Sequence, residues 1–188
     1  NTSDFDAKKD AVAYEDLRAV DKYLMVRLNQ EIKTIREKGY DSYSFSTVYK
    51  SLVNFCNNEL SSFYLDCAKD VVYIEAENNY DRRAMQTVFY EVLVALTKLM
   101  TPILPHTAEE MWEYLQEVEE YVQLAELPGY TTYADQDDIL ELWNNFMPLR
   151  DNVLKAHEEA RNEKLIGKSF EAKVTLYPNE ATKVLFEA

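Results

Sequence analysis

YEDLRAVDKYLMVRLNQEIKTIREK, residues 14–38, decides how the rest of the chain is read. Leu17, Val20, Leu24, Leu28, Ile32 and Ile35 follow one another at intervals of three and four. That spacing lines apolar side chains along one stripe of an α-helix. Gly39 follows as the expected stop, taking a left-handed conformation at the helix end. A stripe of this length must be covered by other helices, and the residues downstream supply them.

Ser46 is expected to cap a second helix reaching about Ala68, with the stripe Val48, Leu52, Phe55, Cys56, Leu60, Phe63 and Cys67. Val71-Val72-Tyr73-Ile74 reads either as a short extended piece or as further helical turns. A third helix over 81–100 turns Met85, Val88, Val92, Leu96 and Leu99 inward. Pro102 and Pro105 break it. Thr107 then opens a fourth helix in a capping box with Glu110, carrying Met111, Trp112 and Leu115. Residues 121–136 read as a loop around Pro128-Gly129. A fifth helix over 137–165 contains Pro148, which predicts a kink or a break, and Gly167 ends it. From Phe170 to Tyr177 apolar and polar residues alternate, the one strand signal. The last eight residues fit helix or strand. The expected fold class is all-α, an up-and-down helical bundle over 14–167. A lead-in over 1–13 precedes it, and 168–188 begin a short α/β element.

Composition narrows the functional classes. With 188 residues, 47% hydrophobic and 13% aromatic, the chain can bury a core. Three glycines and five prolines disfavour sandwiches and barrels. The apolar runs fall short of the roughly 18 residues a membrane span needs. Gly39, Gly129 and Gly167 lie too far apart for a phosphate-cradling loop, and two histidines 51 positions apart exclude HExxH. His106 reads as part of a helix start and His157 as an exposed residue of a charged helix. Glu109, Glu110, Glu113 and Glu117 read as a solvated face, since no loop gathers the oxygens a hard cation requires. Cys56 and Cys67, eleven apart on a helix, are separated by about 16 Å, too far for a disulfide or a shared metal. They read as buried thiols of a reducing compartment. No catalytic residue and no metal site is expected. Without an initiator Met, the opening Asn1–Phe5 reads like the continuation of a longer polypeptide.

Charge is distributed unevenly. The net charge is -14, yet residues 1–98 carry 16 acids against 13 bases and 150–188 carry seven of each. Residues 99–149 hold eleven acids and no Lys or Arg. The flanks can therefore present basic faces to a polyanion while the centre faces elsewhere. Among fourteen tyrosines, Tyr23 stands beside Lys22, Tyr49 beside Lys50, and Tyr80 just before Arg82 and Arg83. Aromatics interleaved with cations suit unpaired bases, which stack, and phosphates, which pair with charge. Arg150, Lys155, Arg161, Lys164 and Lys168 form a second basic stretch. An acidic helical scaffold that docks a basic protein is the alternative charge leaves open.

Several blocks resemble a known family. Phe55–Asp66 (FCNNELSSFYLD) with Lys69-Asp70, Arg83–Val88 (RAMQTV) and Pro102–Trp112 (PILPHTAEEMW) resemble the bundle of the class Ia aminoacyl-tRNA synthetases. The closing Arg150-Asp151, Val153, Ala160–Lys164 (ARNEK) and Ile166–Val174 (IGKSFEAKV) resemble the same family's segment after the bundle. The PHTAEE block is shared with the valyl and leucyl enzymes, whereas ELSSFY and IGKS are similar to the isoleucyl branch. The resemblance implies a cytoplasmic anticodon-binding bundle. Its partner would be the anticodon stem-loop of an isoleucine tRNA rather than DNA or a membrane. The HIGH- and KMSKS-type signatures of the activating site are absent from this sequence. Catalysis, ATP and zinc would thus belong to other domains of the same protein, the catalytic and C-terminal ones. Lys22, Arg27, Lys33, Tyr49, Lys50 and Asn54 are the candidates for anticodon contact, and Arg82, Arg83, Arg161 and Lys164 the candidates for phosphates.

Overall fold

Every long element of the computed structural model is a helix, and the structure describes residues 3–115, 119–178 and 180–183. Among those residues no strand is formed, and no helix is long and apolar enough to cross a membrane. The chain divides into two compact units, Asn1–Tyr133 and Ala134–Ala188.

The first unit is built around α1 (Ala19–Thr34), which runs on through a wide π-helical turn at Ile35–Tyr40. A second rod follows as α2 (Phe45–Asn54), a π-helical stretch over Phe55–Tyr64, and α3 (Leu65–Ile74). Next come α4 (Tyr80–Met100) and α5 (Pro105–Trp112). Leu17, Leu24, Leu28, Ile32 and Ile35 are buried against this framework, as are Met85, Val88, Val92, Leu96 and Leu99 of α4. Each such side chain contributes about 1.5–3 kcal/mol by leaving water. Burial of α1 extends beyond its stripe to Asp21, Tyr23, Met25, Val26 and Asn29, because α1 packs against both α4 and the π-helical stretch.

The second rod departs from the sequence reading. Val71–Ile74 takes the second of its two readings, further helical turns, but the helix starts at Phe45 after Ser44, so Ser46 lies inside it rather than capping it. Cys67 is exposed and Cys56 half-buried, against the expectation of two buried thiols. The π-helical stretch explains this. Its i→i+5 bonding takes about one residue more per turn than an α-helix. The inward set therefore slips to Phe55, Phe63, Tyr64, Ala68 and Val72.

Helix ends also differ. Gly39 has no positive φ. It lies within the π-helical turn, where an added Cβ would meet Val48 Cγ2 at 2.5 Å. Close approach of α2, not a left-handed stop, is why glycine stands there. Asn79 caps α4 by accepting from the Arg82 N–H at 3.1 Å. α5 begins at Pro105 rather than with Thr107 as cap, since proline's missing N–H costs nothing in the first turn. A satellite cluster of Ala108, Trp112 and Val122 closes this end, with the Trp112 indole donating to Glu119 O at 2.8 Å. Glu117 of the acidic run lies outside the described residues.

In the second unit α6 (Gln136–Asn162) passes through Pro148 without a break. Pro148 removes one backbone bond, but both it and Asn144 are exposed, so water can serve the freed carbonyl. The helix stops in a Schellman motif with Lys164, not Gly167, in the left-handed region at φ 59°. The Lys164 N–H donates to Arg161 O at 3.0 Å and that of Leu165 to Ala160 O at 2.9 Å. Beyond a 3-10 turn at Ser169–Glu171, residues 172–178 are not paired as a strand. The alternation is present, but a strand also needs a ladder partner, and none occurs among the described residues. α7 (Glu180–Lys183) is a single turn, and residues 184–188 lie outside the described ones.

Candidate nucleic-acid interface

The corner between α1 and α2 gathers exposed rings and cations. Gly39 lets the two rods approach, and the turn is knitted by Ser44 N–H to Gly39 O at 2.7 Å and Ser42 Oγ to Glu37 O at 2.9 Å. Below it the Tyr40 hydroxyl donates to Leu99 O at 2.5 Å, and burial raises that phenol to about 12. At the tip Tyr43 adopts φ 53° and is 84% exposed. A non-glycine residue here is strained by about 1–2 kcal/mol, and its ring gains nothing from burial. Phe45 and Tyr49, one turn apart on α2, are exposed on the same side, and Lys50 and Asn54 stand exposed beside them. Rings for bases, a cation for phosphate and an amide for a base edge thus share one corner.

Along α1 the cations are differently placed. Lys22 lies 5.4 Å from the centroid of Tyr14, whose ring stacks on Tyr133 with centroids 3.6 Å apart. Arg27 is tied into a network: Nε to Glu59 Oε1 at 2.9 Å and Nη1 to Gln30 Oε1 at 2.6 Å, with Tyr23 Oη donating to Glu59 Oε2 at 2.9 Å. Burial, followed by the Glu59 charge, raises the Tyr23 phenol far above its usual range. Lys33 sits 5.8 Å from the Tyr130 ring centroid.

Arg82 and Arg83 occupy another environment. Arg82 is 4% exposed. Its guanidinium forks onto Asp4, with Nη2 at 2.9 Å from Oδ1, while Nε donates to Val72 O at 3.2 Å. Arg83 donates to Asp4 O and to Gln86 Oε1, both at 2.9 Å. The Arg82 bond, outweighing desolvation, lowers the Asp4 carboxyl to about 2. This cluster pins the lead-in to α4, where Phe5 is buried against Tyr90 and the Val12 N–H donates to Thr87 Oγ1 at 3.0 Å. In this arrangement Arg82 serves the scaffold and offers no face to a phosphate.

In the second unit Arg161 stands exposed on the last turn of α6, with Lys164 exposed just past its end. Tyr43, Phe45, Arg36 and Tyr130 escaped the sequence reading. The Asp41-Ser42-Tyr43-Ser44 run carries turn-forming residues around an aromatic, a usable signal for the first. Tyr130 reaches α1 only through the fold.

Comparison with known proteins gives the context of this surface. The family described as the anticodon-binding domain of tRNA ligase matches residues 21–176. Isoleucine–tRNA ligase of Enterococcus faecalis is 64% identical over all 188 residues, which correspond to 20% of that protein. The isoleucine–tRNA ligases of Streptococcus sanguinis and Streptococcus thermophilus are each 60% identical over 189 aligned positions, with the same coverage. The chain therefore spans about one fifth of the length of the relatives it matches. With its helical rods, its exposed aromatic corner and this match over most of its length, the chain belongs to the anticodon-binding domain family of tRNA ligases.

Proposed function

We propose that this chain grips the anticodon stem-loop of an isoleucine tRNA on behalf of an isoleucine–tRNA ligase. The observation that carries this reading is the 64% identity to such a ligase along the entire chain. The α1–α2 corner fits the task. Unpaired anticodon bases stack on Tyr43, Phe45 and Tyr49, Lys50 meets a phosphate, and Asn54 meets a base edge. Lys22 and Lys33 extend the basic edge along α1. Arg27 supports it from within its network with Glu59, and Arg83 shares the Asp4 anchor with Arg82. In the second unit Arg161 and Lys164 take phosphates. The domain's contribution is orientation and discrimination, delivering the acceptor end to a distant catalytic site. ATP-dependent activation of isoleucine, and any zinc, belong to the remainder of the parent ligase in the cytoplasm.

Titrating the chain with an isoleucine tRNA and a valine tRNA at two salt concentrations tests this. Preference of about tenfold or more for the isoleucine tRNA, weakening steeply with salt, is expected. Equal binding of both would overturn the isoleucine assignment. No binding of either would overturn tRNA recognition by this chain and favour an acidic protein-docking scaffold.

A further inference from the structure

Lys33 and Arg36 lie three residues apart and so project from neighbouring positions of the same side of the first helical rod. Both cations rest on one ring that comes from far away in the chain. The centroid of Tyr130 is 5.8 Å from Lys33 Nζ and 6.0 Å from Arg36 Cζ. Arg36 Nη1 also donates to Pro128 O at 2.9 Å, and the Tyr130 hydroxyl donates to Glu37 Oε1 at 2.6 Å.

The segment carrying Tyr130 is itself fixed. The Thr131 N–H donates to Asn29 Oδ1 at 2.6 Å, while Asn29 Nδ2 donates to Met25 O at 2.9 Å and to Tyr133 Oη at 3.3 Å. Tyr133 in turn stacks on Tyr14. Asn29 is buried, so losing these bonds would strand an amide away from water. Pro128–Tyr133 is therefore a strap clasped at Asn29, and Tyr130 is held where both cations meet it.

We propose that Tyr130 is a positioning residue for RNA binding, holding Lys33 and Arg36 side by side as a two-pronged grip on adjacent phosphates. This rests on the tRNA-binding reading above. Two like charges on long side chains repel and wander when unsupported. A shared aromatic face attracts both and orders them before RNA arrives, which lowers the cost of ordering on binding. Lys33 keeps its exposed side toward solvent. Arg36 adds the planar fork that suits a phosphate.

The test compares the wild-type chain with Tyr130→Ala, Tyr130→Leu, Tyr130→Phe and the double variant Lys33→Ala/Arg36→Ala, titrated with isoleucine tRNA across a salt series. Thermal unfolding is followed in parallel. Tyr130→Ala and Tyr130→Leu are expected to weaken binding about three- to tenfold, and to reduce the salt slope by about 0.7–0.9 for each phosphate no longer held. Tyr130→Phe should keep the wild-type slope, because it keeps the ring. Adding Tyr130→Ala to the double variant should change nothing further. A wild-type slope in folded Tyr130→Leu, or full additivity with the double variant, overturns the positioning role alone. Absence of any tRNA binding by the wild type overturns the underlying reading, and this role with it.

Discussion

The Tyr64 hydroxyl donates a 2.6 Å hydrogen bond to Oδ1 of Asp21, and neither residue exposes any surface to water. Arg18 Nε completes the site at 2.8 Å from Oδ2. This joins the π-helical stretch to α1 through a buried carboxylate. Asp21→Ala strands the buried Tyr64 hydroxyl and leaves the partly exposed Arg18 with Asp81 at 3.7 Å, so it should destabilise by about 2–3 kcal/mol. Tyr64→Phe, which leaves Arg18 in place, should cost about 1–2 kcal/mol. Urea unfolding of the two variants checks the order, and equal losses would show that the hydroxyl carries the whole site.

Asp4 supplies a pH dependence. Its carboxyl is lowered from 3.8 to about 2 in the folded chain, chiefly by the Arg82 hydrogen bond. A depressed carboxylate stabilises the fold above its unfolded value, and that stability is lost as pH falls from about 4 through about 2. Because Asp4 keeps some access to water, the effect is on the order of 1 kcal/mol. Asp4→Asn should flatten this part of the stability profile measured by denaturation at a series of pH values.

Gly39 and Val48 approach too closely for any added carbon, with 2.5 Å to Val48 Cγ2. Gly39→Ala should therefore cost about 1–3 kcal/mol, and Val48→Ala in the same chain should recover part of it. A strictly additive double variant in thermal unfolding would refute the clash.

Among the described residues, two other than glycine hold left-handed backbone, Tyr43 and Lys164. Glycine at either position should stabilise the fold by about 0.5–1 kcal/mol. The functional outcomes should part. Tyr43→Gly should weaken tRNA binding by about fivefold or more through loss of a stacked base. Lys164→Gly should mainly reduce the salt slope. Measured melting temperature and binding on the same samples separate strain from direct recognition.

Tyr49 and Lys50 are adjacent but should answer differently. Tyr49→Ala should lower affinity about tenfold with an unchanged salt slope, since stacking releases no counterions. Lys50→Ala should lower the slope by about 0.7–0.9. A salt series with each variant distinguishes them, and a changed slope in Tyr49→Ala would remove it from the stacking role.

Local pattern was enough for the helical class, the order of the helices, and the inward stripes of α1 and α4. Apolar spacing of three and four selects a helix face, and Pro102 and Pro105 mark a boundary whatever the neighbours are. The rest came from packing between distant parts of the chain. The π-helical stretch over 55–64 exchanged Cys67 for Tyr64 and Ala68, because a change of helical pitch is set by what each side chain must pack against. Arg82 became a buried tie because Asp4, 78 positions earlier, lies across it. Tyr130 met Lys33 and Arg36 because Asn29 clasps a strap about a hundred residues downstream. The 170–177 alternation had the right period and formed no strand among the described residues, since pairing needs a second edge that spacing cannot supply. Periodicity fixes which face of an element is apolar, whereas the burial and partners of a charged or aromatic side chain depend on residues far apart in the chain.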